Sequence, residues 1–227
     1  MIFEGEKKMD FNAAIFDMDG TLVDSYMAWE NGYRKLFTSM NHAMTNDEFD
    51  KLYRMTSDES NEFVRKIYLS QERDNRMPFE SVMENFNADM ESRYVFDVQE
   101  KPYALEYIKM LYNRKIPVCV ATLSPISLAK KVLTKLGFMP YLNFILTGDD
   151  VGLSKRFPDI YFTAAERLGS LPSETIVFED CPVAAMTAHN AGFVVCGVVD
   201  RHQNQNMVQP YCHWSIADYL DVYQAAS

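Results

Sequence analysis

The sequence has no surplus of positive charge. Its 22 Lys and Arg stand against 32 Asp and Glu, a formal net charge of −10. Nucleic acid and anionic membranes would repel such a chain except where a local basic patch or a metal reverses the sign, so neither is an expected partner. Paired cysteines are missing too. Cys119, Cys181, Cys196 and Cys212 are scattered without C-x-x-C spacing, which argues for reduced thiols and against zinc. No apolar run approaches the length of a membrane span. The stretch from 1 to 16 carries Glu4, Glu6 and Asp10 where a secretion signal would be apolar. A cytoplasmic location is the expectation that follows, and internal repeats and low-complexity segments are absent.

What is present is a globular composition. Hydrophobic residues make up 48% and aromatics 13%, far from the balance of a disordered chain. At 227 residues there is room for one ordinary domain with a sizeable insert, or for two small domains.

Short apolar runs bounded by turn residues predict strands over 13–17, 116–122, 144–147, 175–179 and 193–198. They are continuous rather than alternating, as in strands buried on both faces. Helices are predicted between the later ones. Ser124-Pro125 supplies an N-cap and a first-turn proline for a helix through Leu128, Val132 and Leu136 that stops at Gly137. A second runs from Asp159 through Phe162, Ala165 and Leu168, and a third from Pro182 to Gly192. This alternation predicts an α/β fold with a doubly wound, Rossmann-like parallel sheet whose ligands sit at the carboxyl ends of the strands. Roughly ninety residues separate the first two strands, far more than a crossover needs. The excess reads as an inserted helical domain with helices over 26–40, 46–55, 58–69 and 78–94. The expected division is a core of 1–24 and 97–227 around an insert of 25–96. In the insert, Trp29, Tyr33, Leu36 and Phe37 recur at helical spacing, as a packing stripe or as a substrate-facing surface. The residues 203–206, Gln-Asn-Gln-Asn, read as a surface loop before a last short helix.

Chemistry gathers at the predicted strand ends. The first ends in Asp17-Met18-Asp19-Gly20-Thr21-Leu22-Val23-Asp24-Ser25. Two carboxylates this close raise each other's pKa unless a cation binds between them. Mg²⁺ suits the task, since it takes one or two carboxylates, waters and a substrate phosphate, and Gly20 lets the backbone turn away sharply. The second strand ends at Thr122 with Ser124 beyond it, both hydroxyl donors. Lys155 follows a glycine-bearing loop at 148–154, and the fourth strand ends in Glu179-Asp180. Singly, each feature has an ordinary reading: a turn, a strand residue, a solvated lysine, an N-cap. Together they deliver carboxylates, hydroxyl, ammonium and carboxylates at four strand ends in order.

With these motifs the chain resembles the haloacid dehalogenase superfamily, in the subgroup with a helical cap inserted after the first motif, among phosphatases and mutases similar to β-phosphoglucomutase. Besides the first motif, the resemblance rests on Val120-Ala121-Thr122-Leu123-Ser124, on Lys155-Arg156-Phe157-Pro158-Asp159 and on Val177-Phe178-Glu179-Asp180-Cys181-Pro182. Arg156 departs from the usual proline and Cys181 from the usual serine. The resemblance implies that Asp17 is the nucleophile and becomes an aspartyl phosphate, while Asp19 protonates the leaving oxygen and then activates water. It implies Mg²⁺ held by Asp17, the carbonyl of Asp19, and Asp180, with Glu179 as a ligand or just behind. It also implies phosphate binding by Thr122, Leu123 and Lys155, with Gly20 in the first loop. The expected substrate is a small phosphorylated metabolite, and the oligomeric state is not legible.

The expected activity is Mg²⁺-dependent phosphomonoester hydrolysis. A sugar-phosphate mutase is the alternative, but it would carry a cap histidine twelve residues after the nucleophile, where Trp29 stands. A phosphonate hydrolase would need a cap lysine, for which Lys51 and Lys66 are available. A non-catalytic protein of the same fold would have lost a nucleophile, acid or metal ligand, and none is lost. The remaining departures are Tyr103-Ala104, where the family often has Pro-Gly, and Met55-Thr56, where a glycine-containing loop is common.

Overall fold

The computed structural model describes residues 2–4, 7–9, 11–53, 55, 57–71, 77–200, 202 and 205–226. Thr56, Gln203 and Asn204 from the expectations above lie outside them. The chain divides into two compact units, Met1–Asp24 with Gln99–Ser227, and Ser25–Val98.

In the first unit, β1 (Ile2–Glu4) and β2 (Lys7–Met9) form an antiparallel hairpin ahead of β3 (Ala13–Phe16). A tight loop leads to β4 (Val23–Asp24). The second unit holds α1 (Tyr26–Ser39), α2 (Asn46–Leu52), α3 (Ser57–Ser70) and α4 (Phe79–Phe96). On re-entering the first unit, β5 (Gln99–Glu100) pairs antiparallel with β4. There follow α5 (Ala104–Asn113), β6 (Val118–Thr122), α6 (Ile126–Lys135), β7 (Phe144–Thr147), the one-turn α7 (Gly148–Val151) and α8 (Asp159–Leu168). The chain ends with β8 (Thr175–Glu179), α9 (Pro182–Asn190), β9 (Val194–Val198), the one-turn α10 (Gln205–Val208), β10 (Trp214–Ile216) and α11 (Tyr219–Ala226).

Six strands form a parallel sheet in the order β10-β9-β8-β3-β6-β7. The fold is therefore the expected doubly wound α/β sheet with an inserted helical region. Strand β3 lies between β6 and β8, so the order reverses beside it, and a ligand crevice forms at such a switch point. Side-chain parity sorts the two faces. Ile15, Cys119, Ala121, Val177 and Val195 pack with Ile160, Tyr161, Ala164 and Ala165 of α8 and with Ala185 and Ala188 of α9. On the other parity, Phe16 stacks on Phe178 at 4.4 Å, and both pack with Tyr107 of α5 and Tyr219 of α11.

Several local expectations are corrected. The N-cap position of α6 is Pro125, whose side chain has no acceptor, and Ser124 stands one residue before it. The loop at 148–154 contains the turn α7, made helical by a capping box between Thr147 and Asp150 and ended by Gly152 at φ 69°. Phe162 is exposed, and the buried line on α8 is Ile160, Tyr161, Ala164 and Ala165. Gln205 and Asn206, expected as part of a loop, begin the helical turn α10 instead. The predicted helix at 46–55 ends at Leu52. Strand β10 and the hairpin of β1 and β2 had no expectation, since three-residue strands show no periodicity.

In the second unit, α2 starts with a capping box in which Thr45 and Glu48 satisfy each other's backbone donors. Gly32 of α1 leaves no room for a Cβ against the Met90 sulfur of α4, so the two helices approach closely. Tyr33, Leu36 and Phe37 are buried, Tyr33 stacks on Phe86 at 5.0 Å, and half-buried Trp29 stacks on Tyr33 at 5.7 Å. Tyr33, Leu36 and Phe37 of the stripe are thus packing residues of this unit.

Candidate active site

The loop after β3 wraps around a single carbonyl. The oxygen of Met18, a fully buried residue, accepts from the amides of Thr21, Leu22 and Val23, and the Gly20 amide donates to the Val23 carbonyl at 2.8 Å. Gly20 has φ 83°, and a Cβ there would collide with the Asp180 carboxylate. Its place is thus conformational: it turns the chain and lets the fourth motif approach the first. Thr21, fully buried, donates its hydroxyl to Asp180 Oδ1 at 3.1 Å and ties the two motifs together.

Register does the rest. Phe16 lies beside Phe178 on neighbouring parallel strands, so the next residues, Asp17 and Glu179, are neighbours on the face covered by α8. The Asp17 amide donates to the Phe178 carbonyl at 3.0 Å. The Lys155 ammonium reaches into this face and donates to Asp17 Oδ1 and to Glu179 Oε1, the latter at 2.5 Å. From α8, the Tyr161 hydroxyl donates to the same Glu179 Oε1 at 2.8 Å. Lys155, Asp17, Glu179 and Asp180 are all buried.

Among the described residues, Asp17, Glu179 and Asp180 form a buried acidic group whose ligand oxygens lie within 4.8 Å of one another. One ammonium does not balance three carboxylates. Burial pushes the Asp17 carboxyl up to about 7, with Glu179 and Asp19 adding to the push while Lys155 opposes it. Burial, then Asp17 and Glu179, hold the Asp180 carboxyl well above the usual range. Burial alone would weaken the Lys155 ammonium, yet Asp17 and Glu179 hold it above the usual lysine range. Glu179 Oε2 is buried with no hydrogen-bond partner, an expensive state for a carboxylate oxygen. A divalent cation would relieve each of these at once, so the donor set fits a metal that prefers oxygen.

Asp19 stands apart from that group. Its Oδ2 accepts the Ser124 hydroxyl at 2.6 Å. The Ser124 amide in turn donates to Thr122 Oγ1 at 3.0 Å, which leaves the Thr122 hydroxyl proton available as a donor. Leu123 follows at the same edge with its side chain toward Gly148. Thus Asp17, Lys155, Glu179 and Asp180 converge, Gly20 packs against Asp180, and Asp19 connects through Ser124 to Thr122. Three contributors were not singled out for these roles: Thr21, Tyr161, and Ser124 as partner of Asp19. Tyr161 had a signal, since a tyrosine on the buried line of a helix usually finds a hydroxyl partner.

Known proteins bear on this arrangement. The family described as Haloacid dehalogenase-like hydrolase matches residues 14–198. Validoxylamine A 7'-phosphate phosphatase of Streptomyces hygroscopicus subsp. limoneus is 28% identical over 88% of this chain and 91% of its own. A phosphorylated carbohydrates phosphatase of Thermotoga maritima is 28% identical over 82% of this chain and 85% of its own. The fold is shared with CbbY from Rhodobacter sphaeroides, solved in complex with phosphate, at a TM-score of 0.77 and 18% identity, covering 93% of this chain and 96% of that one. Because the family match takes in all four motif-bearing strand ends, the chain belongs to the haloacid dehalogenase-like hydrolases.

Proposed function

We propose that this protein, a phosphatase of the haloacid dehalogenase superfamily, hydrolyses a small phosphomonoester of the sugar-phosphate class with Mg²⁺ and through an aspartyl phosphate on Asp17. The observation that carries the reading is the convergence of Asp17, Glu179 and Asp180 around one lysine at the switch point of the sheet. The substrate class follows the two phosphatases above, whose names specify phosphorylated carbohydrates and validoxylamine 7'-phosphate.

Asp17, Asp180 and Glu179, with the Asp19 carbonyl, would hold Mg²⁺, which neutralises the carboxylates and draws charge from the phosphoryl oxygens when bound. Asp17 attacks phosphorus as its ester bond to the leaving oxygen breaks, and Asp19 gives that oxygen a proton. Water then attacks the aspartyl phosphate, Asp19 takes its proton, and inorganic phosphate leaves as Asp17 is restored. Thr122, the Leu123 amide and Lys155 are the donors for the phosphoryl oxygens. An ammonium has three protons, and only two of those on Lys155 are engaged by Asp17 and Glu179.

Hydrolysis of p-nitrophenyl phosphate with and without Mg²⁺, beside Asp17→Asn and Asp19→Asn, tests the mechanism. Turnover is expected only with the metal, none with Asp17→Asn, and about 10²–10⁴-fold less with Asp19→Asn. Undiminished metal-dependent turnover by Asp17→Asn would refute it. A panel of sugar phosphates, nucleotides and phosphoglycolate then identifies the preferred ester.

A further inference from the structure

We infer that Tyr161 is a positioning residue for the metal centre, acting through Glu179: its hydroxyl helps occupy one carboxylate oxygen and so leaves the other to face the cation. The inference rests on the metal reading above.

Glu179 Oε1 takes two donors, the Lys155 ammonium at 2.5 Å and the Tyr161 hydroxyl at 2.8 Å. Oε2 takes none, although it is buried. The asymmetry sets the rotation of the carboxylate. A planar group pinned by two donors on one oxygen cannot rotate without breaking both bonds. The other oxygen is therefore held ready, without a donor that a cation would have to displace.

Tyr161 is suited to this work by its place in the fold. Side-chain parity puts Glu179 on the face that α8 covers, and Tyr161 is fully buried there among Ile15, Val177 and Phe193. Its ring packs against Phe193 at 6.0 Å, so the hydroxyl is delivered from a rigid element. Burial and the charge of Glu179 hold the phenol well above the usual tyrosine range, and it remains a donor. Lys155 lies 5.9 Å from the centre of the Tyr161 ring, so the same residue also backs the lysine that bridges Asp17 and Glu179. Partners of metal ligands commonly matter about as much as this geometry suggests, with removal costing about 10–100-fold in affinity.

The test is calorimetric titration of Mg²⁺ into the wild-type protein, Tyr161→Phe, Glu179→Gln and the double variant, with circular dichroism of each metal-free protein. Tyr161→Phe is expected to keep its fold and to bind Mg²⁺ about tenfold more weakly. In the Glu179→Gln background the second substitution should change affinity little, because its route through the carboxylate is already gone. Equal affinity of Tyr161→Phe and wild type overturns the inference and leaves the metal reading standing. Additive losses overturn it as well, since they make Tyr161 independent of Glu179. Loss of fold in Tyr161→Phe does the same, because a purely orienting hydroxyl is not needed for packing. A wild-type protein that binds no Mg²⁺ removes the metal reading and the inference with it.

Discussion

Gly20 and Tyr103 both adopt positive φ, at 83° and 62°, and they meet that demand with opposite chemistry. Gly20 has no Cβ to strain and leaves room for the Asp180 carboxylate. Tyr103 carries a full side chain through the left-handed region at the N-cap position of α5, where it makes no capping bond and is 44% exposed. Little packing is lost if that side chain is removed. Tyr103→Gly is accordingly expected to stabilise the protein by about 1 kcal/mol, the strain of a non-glycine residue there. A urea midpoint that moves down would contradict this. The departure from Pro-Gly at Tyr103-Ala104 is visible in the sequence, but the residue bearing the strain is identified only by its backbone angles.

At the scale of elements, the ribbon of β4 and β5 marks where the chain leaves and re-enters the first unit, and the residue after it anchors it. Lys101 donates its amide to the Leu22 carbonyl at 2.8 Å, and its ammonium pairs with Asp200 Oδ2 at 2.6 Å. Asp200 follows β9 closely and is 2% exposed, whereas the Lys101 side chain is 14% exposed. Removing one partner of such a pair leaves a buried charge behind. Lys101→Met should cost about 3 kcal/mol, the lower end of the buried-pair range because the ammonium retains some solvent. Thermal unfolding of Lys101→Met beside the double variant with Asp200→Asn measures it, with partial recovery expected in the double variant. The strands themselves are legible as apolar runs because both faces of the sheet are covered. The pairing of Lys101 with a residue 99 positions away is not, since nothing local encodes it.

For the whole molecule, the buried carboxylates couple stability to pH and, on the proposed metal reading, to Mg²⁺. Asp17 is raised from 3.8 to about 7, so its protonated form favours the metal-free fold. That contribution is complete below about pH 4 and is lost as pH rises through about 7, because the unfolded chain releases its proton first. Cation binding needs the carboxylate and releases the proton. The gain in Tm on adding Mg²⁺ should therefore be small at about pH 5 and larger at about pH 8. Scanning fluorimetry across this range checks it, and a gain that shrinks with rising pH would contradict it.

From the sequence alone the α/β class, the helical insert and the motif residues at four strand ends could be read, because strand burial, glycine breaks and clustered polar residues are local signals. Tertiary structure alone decided which of those residues meet. Register set Asp17 beside Glu179, the turn at Gly20 brought Asp180 within reach of Thr21, and α8 laid Tyr161 against a carboxylate 18 positions away. It also set the Ser124 hydroxyl against Asp19, 105 positions away. The physical reason is the same in each case. A buried polar group is costly without a partner, and only the packed chain determines which one lies within hydrogen-bond distance.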